Sequence, residues 1–183
     1  RQTVSDDADA FFIAMEQARS AGAEVVLSTG AVSMGRYDFI PDALRKLGAT
    51  MHFHKVAIRP GKPLLFATLP TGALFFGLPG NPASTAVGLR FFVEPALRGL
   101  LGLAPERPLR LPLLGGFRKR HPLRFHLKGQ AALDGEGRLQ AQVLTGQESF
   151  RIAPLAHSNA WIVFDEDTNA LEAGALVEVY APG

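Results

Sequence analysis

The sequence predicts an α/β protein in two parts: a mixed three-layer α/β/α domain, incomplete at its N-terminus, followed by a small all-β, barrel-like domain. Three observations predict it. Helical and strand patterns alternate over the first hundred residues, and Gly- and Pro-rich loops border the apolar strand-like runs there. Beyond a proline-rich stretch the helical period gives way to short apolar runs separated by Gly, Asp and Asn.

Asp6 or Asp7 caps a first helix whose apolar positions Phe11, Phe12, Met15 and Ala18 share one side, and Gly22 ends it. Val25 to Ser28 reads as a short buried strand. After the loop STGAVSMG, Asp38 caps a second helix with Ile40, Leu44 and Leu47 inward and Gly48 as its stop. Met51 to Ile58, Leu64 to Ala67 and Ala73 to Gly77 read as strands. The turn LPGNP then leads into a helix from about Pro82 toward Leu101, kinked or split at Pro95. Helices alternating with strands in this way imply a parallel or mixed sheet covered on both faces.

The segment LAPERPLRLP, with its prolines and arginines, reads as a linker over residues 103–112. It separates an α/β domain, 1–102, from a β domain, 113–183. In the latter, Leu123 to Leu127, Leu139 to Leu144, Ala160 to Phe164 and Leu176 to Tyr180 are the expected strands, with turns such as LDGEGR between them.

Composition narrows the function classes. The 183 residues are 47% hydrophobic and 20% charged, as in a soluble globular protein with room for one medium and one small domain. The formal charge is +2 and acids alternate with bases along most of the chain, so nucleic acid is not required. The absence of cysteine excludes disulfides and thiolate metal sites and suits a cytoplasmic protein. No apolar run approaches the roughly 20 residues of a membrane span.

Three loops carry the chemistry, and all can lie at the carboxyl ends of strands, where open α/β sheets bind ligands. The first runs from Ser28 to Gly35 and offers Gly30, Ser33 and other small or hydroxyl residues to a polar ring or phosphate; Asp38 beyond it can hold a cation or simply cap its helix. In the second, RPGKP, Arg59 and Lys62 flank a rigid turn through Gly61 and so present positive charge at little entropic cost. The third is LPGNP. Gly80 permits close backbone approach, Asn81 and Pro82 open a helix whose free N–H groups suit an anion, and Ser84 adds a hydroxyl.

STGAVSMGRYD, RPGKP and LPGNPAS, in this order and at this spacing, resemble the MoeA-type molybdopterin molybdenumtransferases, whose eukaryotic counterpart is the E domain of gephyrin. The resemblance covers nearly the whole chain. It implies the last step of molybdenum cofactor synthesis, in which adenylylated molybdopterin receives molybdate at its dithiolene and AMP is released in a magnesium-dependent reaction. Position by position, it makes Asp6 (or Asp7) and Asp38 the acidic pair for magnesium, since carboxylates are hard oxygen ligands. Ser28, Gly30, Ser33 and Gly35 match its pterin and phosphate loop. Lys62, Arg59 and Ser84 match its molybdate-holding groups, with Gly61, Gly80 and Asn81 at substrate-binding positions. Arg124 and Ser149 match an arginine and a serine that close the molybdate pocket from the β domain. It also implies a homodimer.

The chain departs from the family pattern in two ways. Ala31 stands where a glycine pair is usual, and residue 1 falls inside the pterin domain, without the upstream Thr-Gly-Asp/Glu segment and two further domains. A C-terminal fragment with an unpaired sheet edge and little catalysis is therefore expected. The rival is a non-catalytic scaffold of the gephyrin E-domain type, which loops pointing apart would favour. Other chemistries lack their motifs. Gly30 to Gly35 is one residue too long for a G-x-S-x-G elbow, and Walker and dinucleotide loops are missing. His52 and His54 share a strand face without further ligands nearby, and the phenylalanine pairs at 11–12, 75–76 and 91–92 read as core.

Overall fold

The computed structural model describes residues 3–4, 7–30 and 39–183. By its internal contacts the chain divides into two units, one of Arg1–Val56 and Gly61–Gly88, the other of Ala57–Pro60 and Leu89–Gly183. The chain thus changes unit after Val56, after Pro60 and after Gly88.

In the first unit, helix α1 (Ala8–Ser20) starts at Asp7, whose carboxylate accepts the Ala10 N–H at 3.3 Å. Asp7 therefore holds the capping position; Asp6 lies outside the described residues. Gly22, at φ +68°, carries the chain out of the helix in a backbone conformation that other residues resist. Strand β1 (Val25–Thr29) follows. Helix α2 (Ile40–Lys46) departs from expectation, because its N-cap is Phe39 with no side-chain cap bond. Pro41 in its first turn has no N–H that needs a cap. Asp38 lies outside the described residues, one place before that cap.

The expected strand from Met51 to Ile58 is two strands, β2 (Thr50–His54) and β3 (Ile58–Arg59). Lys55 breaks the run by taking φ +80°. With β4 (Leu65–Thr68) and β5 (Leu74–Leu78), the first unit forms a four-stranded sheet in the order β1-β5-β4-β2. It is mixed: β1 and β5 run parallel, the other pairs antiparallel.

Strand alternation sorts its side chains by face. Leu65, Ala67 and Phe75 meet Phe11, Met15, Ile40, Ala43 and Leu44 of the two helices in one core. Leu44, Leu65 and Phe75 are fully buried, each contributing about 1.5–3 kcal/mol. Phe66 and Phe76 sit opposite one another and stack at 4.6 Å, and His52 stacks on Phe66 while bonding Thr68 Oγ1 at 2.7 Å. The phenylalanine pairs at 11–12 and 75–76 are core, as expected. Helix α3 (Pro82–Gly88) buries Ala83 and Val87, and Gly88 lies so close to Leu78 that a Cβ would stand 2.8 Å from its Cδ2.

The chain re-enters the second unit with a π-helical segment, Leu89–Val93, and helix α4 (Glu94–Leu100). The irregularity expected at Pro95 thus falls just before it. Pro95 offers no N–H to the Phe91 carbonyl and its ring crowds that carbonyl; a widened turn accommodates both. Arg90, 5% exposed, pairs with Glu94 (3.2 Å) and Glu106 (2.6 Å) and donates to the Ala181 carbonyl at 2.8 Å.

Part of the expected linker is strand β6 (Leu109–Pro112). There follow β7 (Phe117–Arg118), β8 (Arg124–Leu133), β9 (Leu139–Val143), α5 (Ala153–His157), β10 (Ala160–Phe164), β11 (Ala170–Leu171) and β12 (Leu176–Tyr180). The sheet runs β3-β8-β10-β12-β6, with β9 on the far part of β8, and β7 pairs with β11 apart from it. Leu111, Phe125, Leu127, Ile162, Phe164, Val177 and Val179 build its core. The sheet returns on itself through one bridge, Leu113 to Ala141, and a Leu114 N–H to Ala141 carbonyl bond of 2.7 Å. The barrel-like β domain is therefore not closed by a ladder among the described residues. Among them, too, no helix is long and apolar enough to cross a membrane.

Candidate functional site

Because β1 and β5 are parallel, the loops that follow them leave the sheet at one end. β4 is antiparallel to β5, with Leu65 opposite Gly77, so Gly61 to Leu64 enter the sheet at that same end. Two of the loops touch. The Gly30 N–H donates to the Leu78 carbonyl at 3.0 Å, and a Cβ on Gly80 would lie 3.6 Å from Gly30 Cα. Gly30 takes φ +86°, which a side chain would strain. At the end of β1, Ser28 holds a buried Oγ with no hydrogen-bond partner among the described residues. An unsatisfied hydroxyl costs about 1–3 kcal/mol, which a polar ligand atom would recover. Ser33, Gly35 and Asp38 lie outside the described residues.

The start of α3 differs from the free helix end that the sequence suggests. Asn81 caps it: its Oδ1 accepts the Ser84 N–H at 3.3 Å and stands 3.5 Å from Ser84 Oγ. Ser84 is 6% exposed. Thr85 Oγ1 donates to the carbonyls of Pro79 and Asn81, which ties the LPGNP turn to the helix. Lys62 is exposed and its ammonium has no bond or ion pair among the described residues, yet its carbonyl accepts the Val56 N–H at 2.9 Å. The turn is thus fixed at its base while the charge stays free.

The second unit holds a cavity of about 730 Å³ lined by Arg59, Arg118, Lys119, Arg120, His126 and Glu148, among others. Arg59, paired through β3 with Phe125, lies 5.8 Å over that ring. Lys119 is buried and donates to the carbonyls of Leu123 (2.8 Å), Glu166 (2.9 Å) and Asp165; burial holds its ammonium below the usual lysine range. His126 is 3% exposed, and burial, aided by the nearby Arg124 charge, pushes it down to about 3, so the ring is neutral. Its Nδ1 has no partner among the described residues, and its ring lies 4.3 Å from Phe91.

Of the two β-domain residues expected at the pocket, neither lines this cavity directly. Arg124 is held by carboxylates, Asp165 at 2.5 Å, Glu178 at 3.4 Å and Glu166 at 3.8 Å. Ser149 is half-buried and follows the lining residue Glu148. Sequence reasoning missed Lys119, Lys128 and Gln147. Most of their bonds go to residues distant in sequence, and the only signal was one basic residue, Lys128, inside an otherwise strand-like run. Among the described residues no group of three or more His, Asp or Glu could hold a metal ion; His52 and His54 both lie in β2.

Residues 1–99 match the family model described as "Probable molybdopterin binding domain", and residues 110–181 match "MoeA C-terminal region (domain IV)". A Synechococcus elongatus protein named molybdopterin molybdenumtransferase is 40% identical over 177 residues, 96% of this chain and 43% of the relative. A Nostoc protein of the same name is 36% identical over 162 residues, 87% of this chain and 36% of the relative. A solved Pyrococcus furiosus structure, titled a molybdenum cofactor biosynthesis protein, superposes with a TM-score of 0.72 at 25% identity, covering 96% of this chain and 55% of that one. A Pyrococcus horikoshii molybdopterin biosynthesis MoeA structure, at 24% identity and a TM-score of 0.75, shares the fold. The chain spans about two fifths of the length of the curated relatives it matches. It belongs to the MoeA family, of which it carries the C-terminal part: molybdopterin-binding domain residues followed by domain IV.

Proposed function

We propose that this chain supplies the substrate-holding part of a molybdopterin molybdenumtransferase, with adenylylated molybdopterin and molybdate as substrates and AMP as a product. The observation that carries this reading is the contact of the loops after β1 and β5, Gly30 against Gly80, at the sheet end where Gly61 to Leu64 also enter. Loops brought together in this way suit a ligand site and speak against the scaffold reading.

The residue roles follow from their chemistry. Ser28 Oγ and the Gly30 and Gly80 backbones offer hydroxyl and close-approach contacts to the pterin phosphate. Lys62, free at its tip, offers a charge-assisted bond to the molybdate dianion. Ser84 Oγ, only weakly engaged by Asn81 at 3.5 Å, can turn its proton to an oxyanion. Within the second unit, Arg59 lines a cationic cavity with a positive potential of its own that suits an oxyanion, and Ser149 lies one residue from that cavity's wall. Arg124 would have to exchange a carboxylate for an oxyanion to bind one.

Magnesium belongs to the same reading, but the described donors do not make its site. Asp7 is the one carboxylate of the expected set among them, and its Oδ2 already accepts the Ala10 N–H. The reading also carries a homodimer and a cytoplasmic location for the whole protein.

Calorimetric titration of molybdate into the chain tests the proposal. Lys62→Ala is expected to weaken binding by about 1.5–3 kcal/mol, the scale of a charge-assisted hydrogen bond. Equal affinity in variant and parent would remove Lys62 from the site, and a parent that binds no molybdate would overturn the reading.

A further inference from the structure

We infer that Lys128 is a positioning residue that sets the loop Gly146–Arg151, and Ser149 within it, against the cavity of the β domain. The inference rests on the proposed function and takes Ser149 as the serine that the family resemblance assigns to molybdate.

Lys128 stands in β8 and is 2% exposed. An ammonium has three N–H donors, and Lys128 spends all three on a single loop: on the carbonyls of Gly146 (2.8 Å), Glu148 (3.1 Å) and Arg151 (3.2 Å). These acceptors flank Ser149 on both sides. The backbone at Lys128 grips the same segment. Its N–H donates to Gln147 Oε1 at 3.0 Å, and its carbonyl accepts from Gln147 Nε2 at 2.8 Å and from Leu144 N–H at 3.0 Å.

Thr145, Gly146, Gln147 and Glu148 line the cavity, so the lysine lies behind its wall and not in it. Burial holds the ammonium below the usual lysine range, with Glu148 partly opposing the shift. A buried cation is costly unless hydrogen-bonded, and its compensation comes wholly from this loop's carbonyls. The β8–β10 ladder at Lys128 and Trp161 runs through backbone and does not need the side chain. Loss of the ammonium should therefore loosen the loop and spare the strands.

The test compares Lys128→Met, Ser149→Ala and the double variant with the parent chain. Backbone amide exchange is read by mass spectrometry, and molybdate affinity by calorimetry. In Lys128→Met, amides of residues 146–151 should exchange about tenfold faster while those of residues 160–164 keep their protection. Molybdate affinity should fall about tenfold, and Ser149→Ala should then have almost no added effect, because an unplaced serine has no contact to lose. Unchanged exchange at 146–151, or a full Ser149→Ala effect in the Lys128→Met background, would overturn the inference. If the parent binds no molybdate, or Ser149→Ala leaves the parent's affinity unchanged, the functional reading of Ser149 fails, and the exchange result alone decides whether Lys128 sets the loop. Lys128→Gln, which keeps two N–H donors, supplies the same readouts should the methionine variant not fold.

Discussion

Gly129 of β8 faces Ile162 of β10 so closely that a Cβ on it would lie 2.5 Å from Ile162 Cδ1, with the Gln142 carbonyl at 3.1 Å on another side. It is also the residue at which β8 pairs with both neighbours, Val143 in β9 and Ala160 in β10. A methyl group there overfills a close-packed core. Gly129→Ala is expected to destabilise the β domain by about 1–3 kcal/mol, read from the midpoint of urea unfolding. An unchanged midpoint would show that Ile162 has room to turn aside.

His126 ties stability to pH. In the folded chain it titrates at about 3, against 6.5 for an unperturbed histidine. Between those values the unfolded chain binds a proton that the folded chain refuses, so stability is full above about pH 6.5 and falls as pH drops toward 3. The slope approaches about 1.4 kcal/mol per pH unit for one proton. His126→Leu should flatten the curve in that window relative to the parent. Parallel curves for the two proteins would show that the ring is protonated in place.

Asn81 closes the N-terminus of α3 by accepting the Ser84 N–H. Asn81→Ala should cost about 1 kcal/mol, while Asn81→Asp, which keeps the acceptor, should cost less. Thermal unfolding ranks the two, and equal losses would mean that the bond does not matter.

Arg90 joins Glu94, Glu106 and the Ala181 carbonyl. Both glutamates keep some access to water, which limits their penalty when they lose the partner. Arg90→Met is therefore expected to cost about 1–3 kcal/mol. Because Arg90 itself is buried, the loss should change little between low and high salt, in contrast to an exposed pair such as Arg45 with Asp42.

Much of this molecule was legible from local pattern. The helix punctuated by an aspartate at 6 or 7 and by Gly22, the strands around Phe75 and Ile162, and the turns RPGKP and LPGNP all announce themselves through cap chemistry, period and Gly-Pro turns. Where local pattern ran out, the cause was contact at long range. Nothing in Thr50 to Ile58 says that the chain breaks at Lys55 and hands Ile58 to a different sheet. Nor does PERPLRLP say that Leu109 to Pro112 will find β12 as a partner. Lys119 and Lys128 read as ordinary charges because the carbonyls that hold them, Leu123 excepted, come from residues 18 to 47 positions away. The family resemblance puts Arg124 at a pocket, and the carboxylates that hold it are equally remote in sequence.

The repeated passage of the chain between its two units bears on how this protein can be divided. The family models part company between residues 99 and 110, which suggests two interchangeable modules. Yet β3, at Ile58 and Arg59, is an edge strand of the β domain's own sheet, pairing with Arg124 and Phe125. A graft of residues 110–181 onto another protein would leave the start of β8 with unmet backbone donors and acceptors along that side, and would lose the Arg59–Phe125 stack with it. Recombination in this family would therefore be conservative at that seam: an incoming β domain has to accept the two residues at 58 and 59 that the resident α/β segment presents.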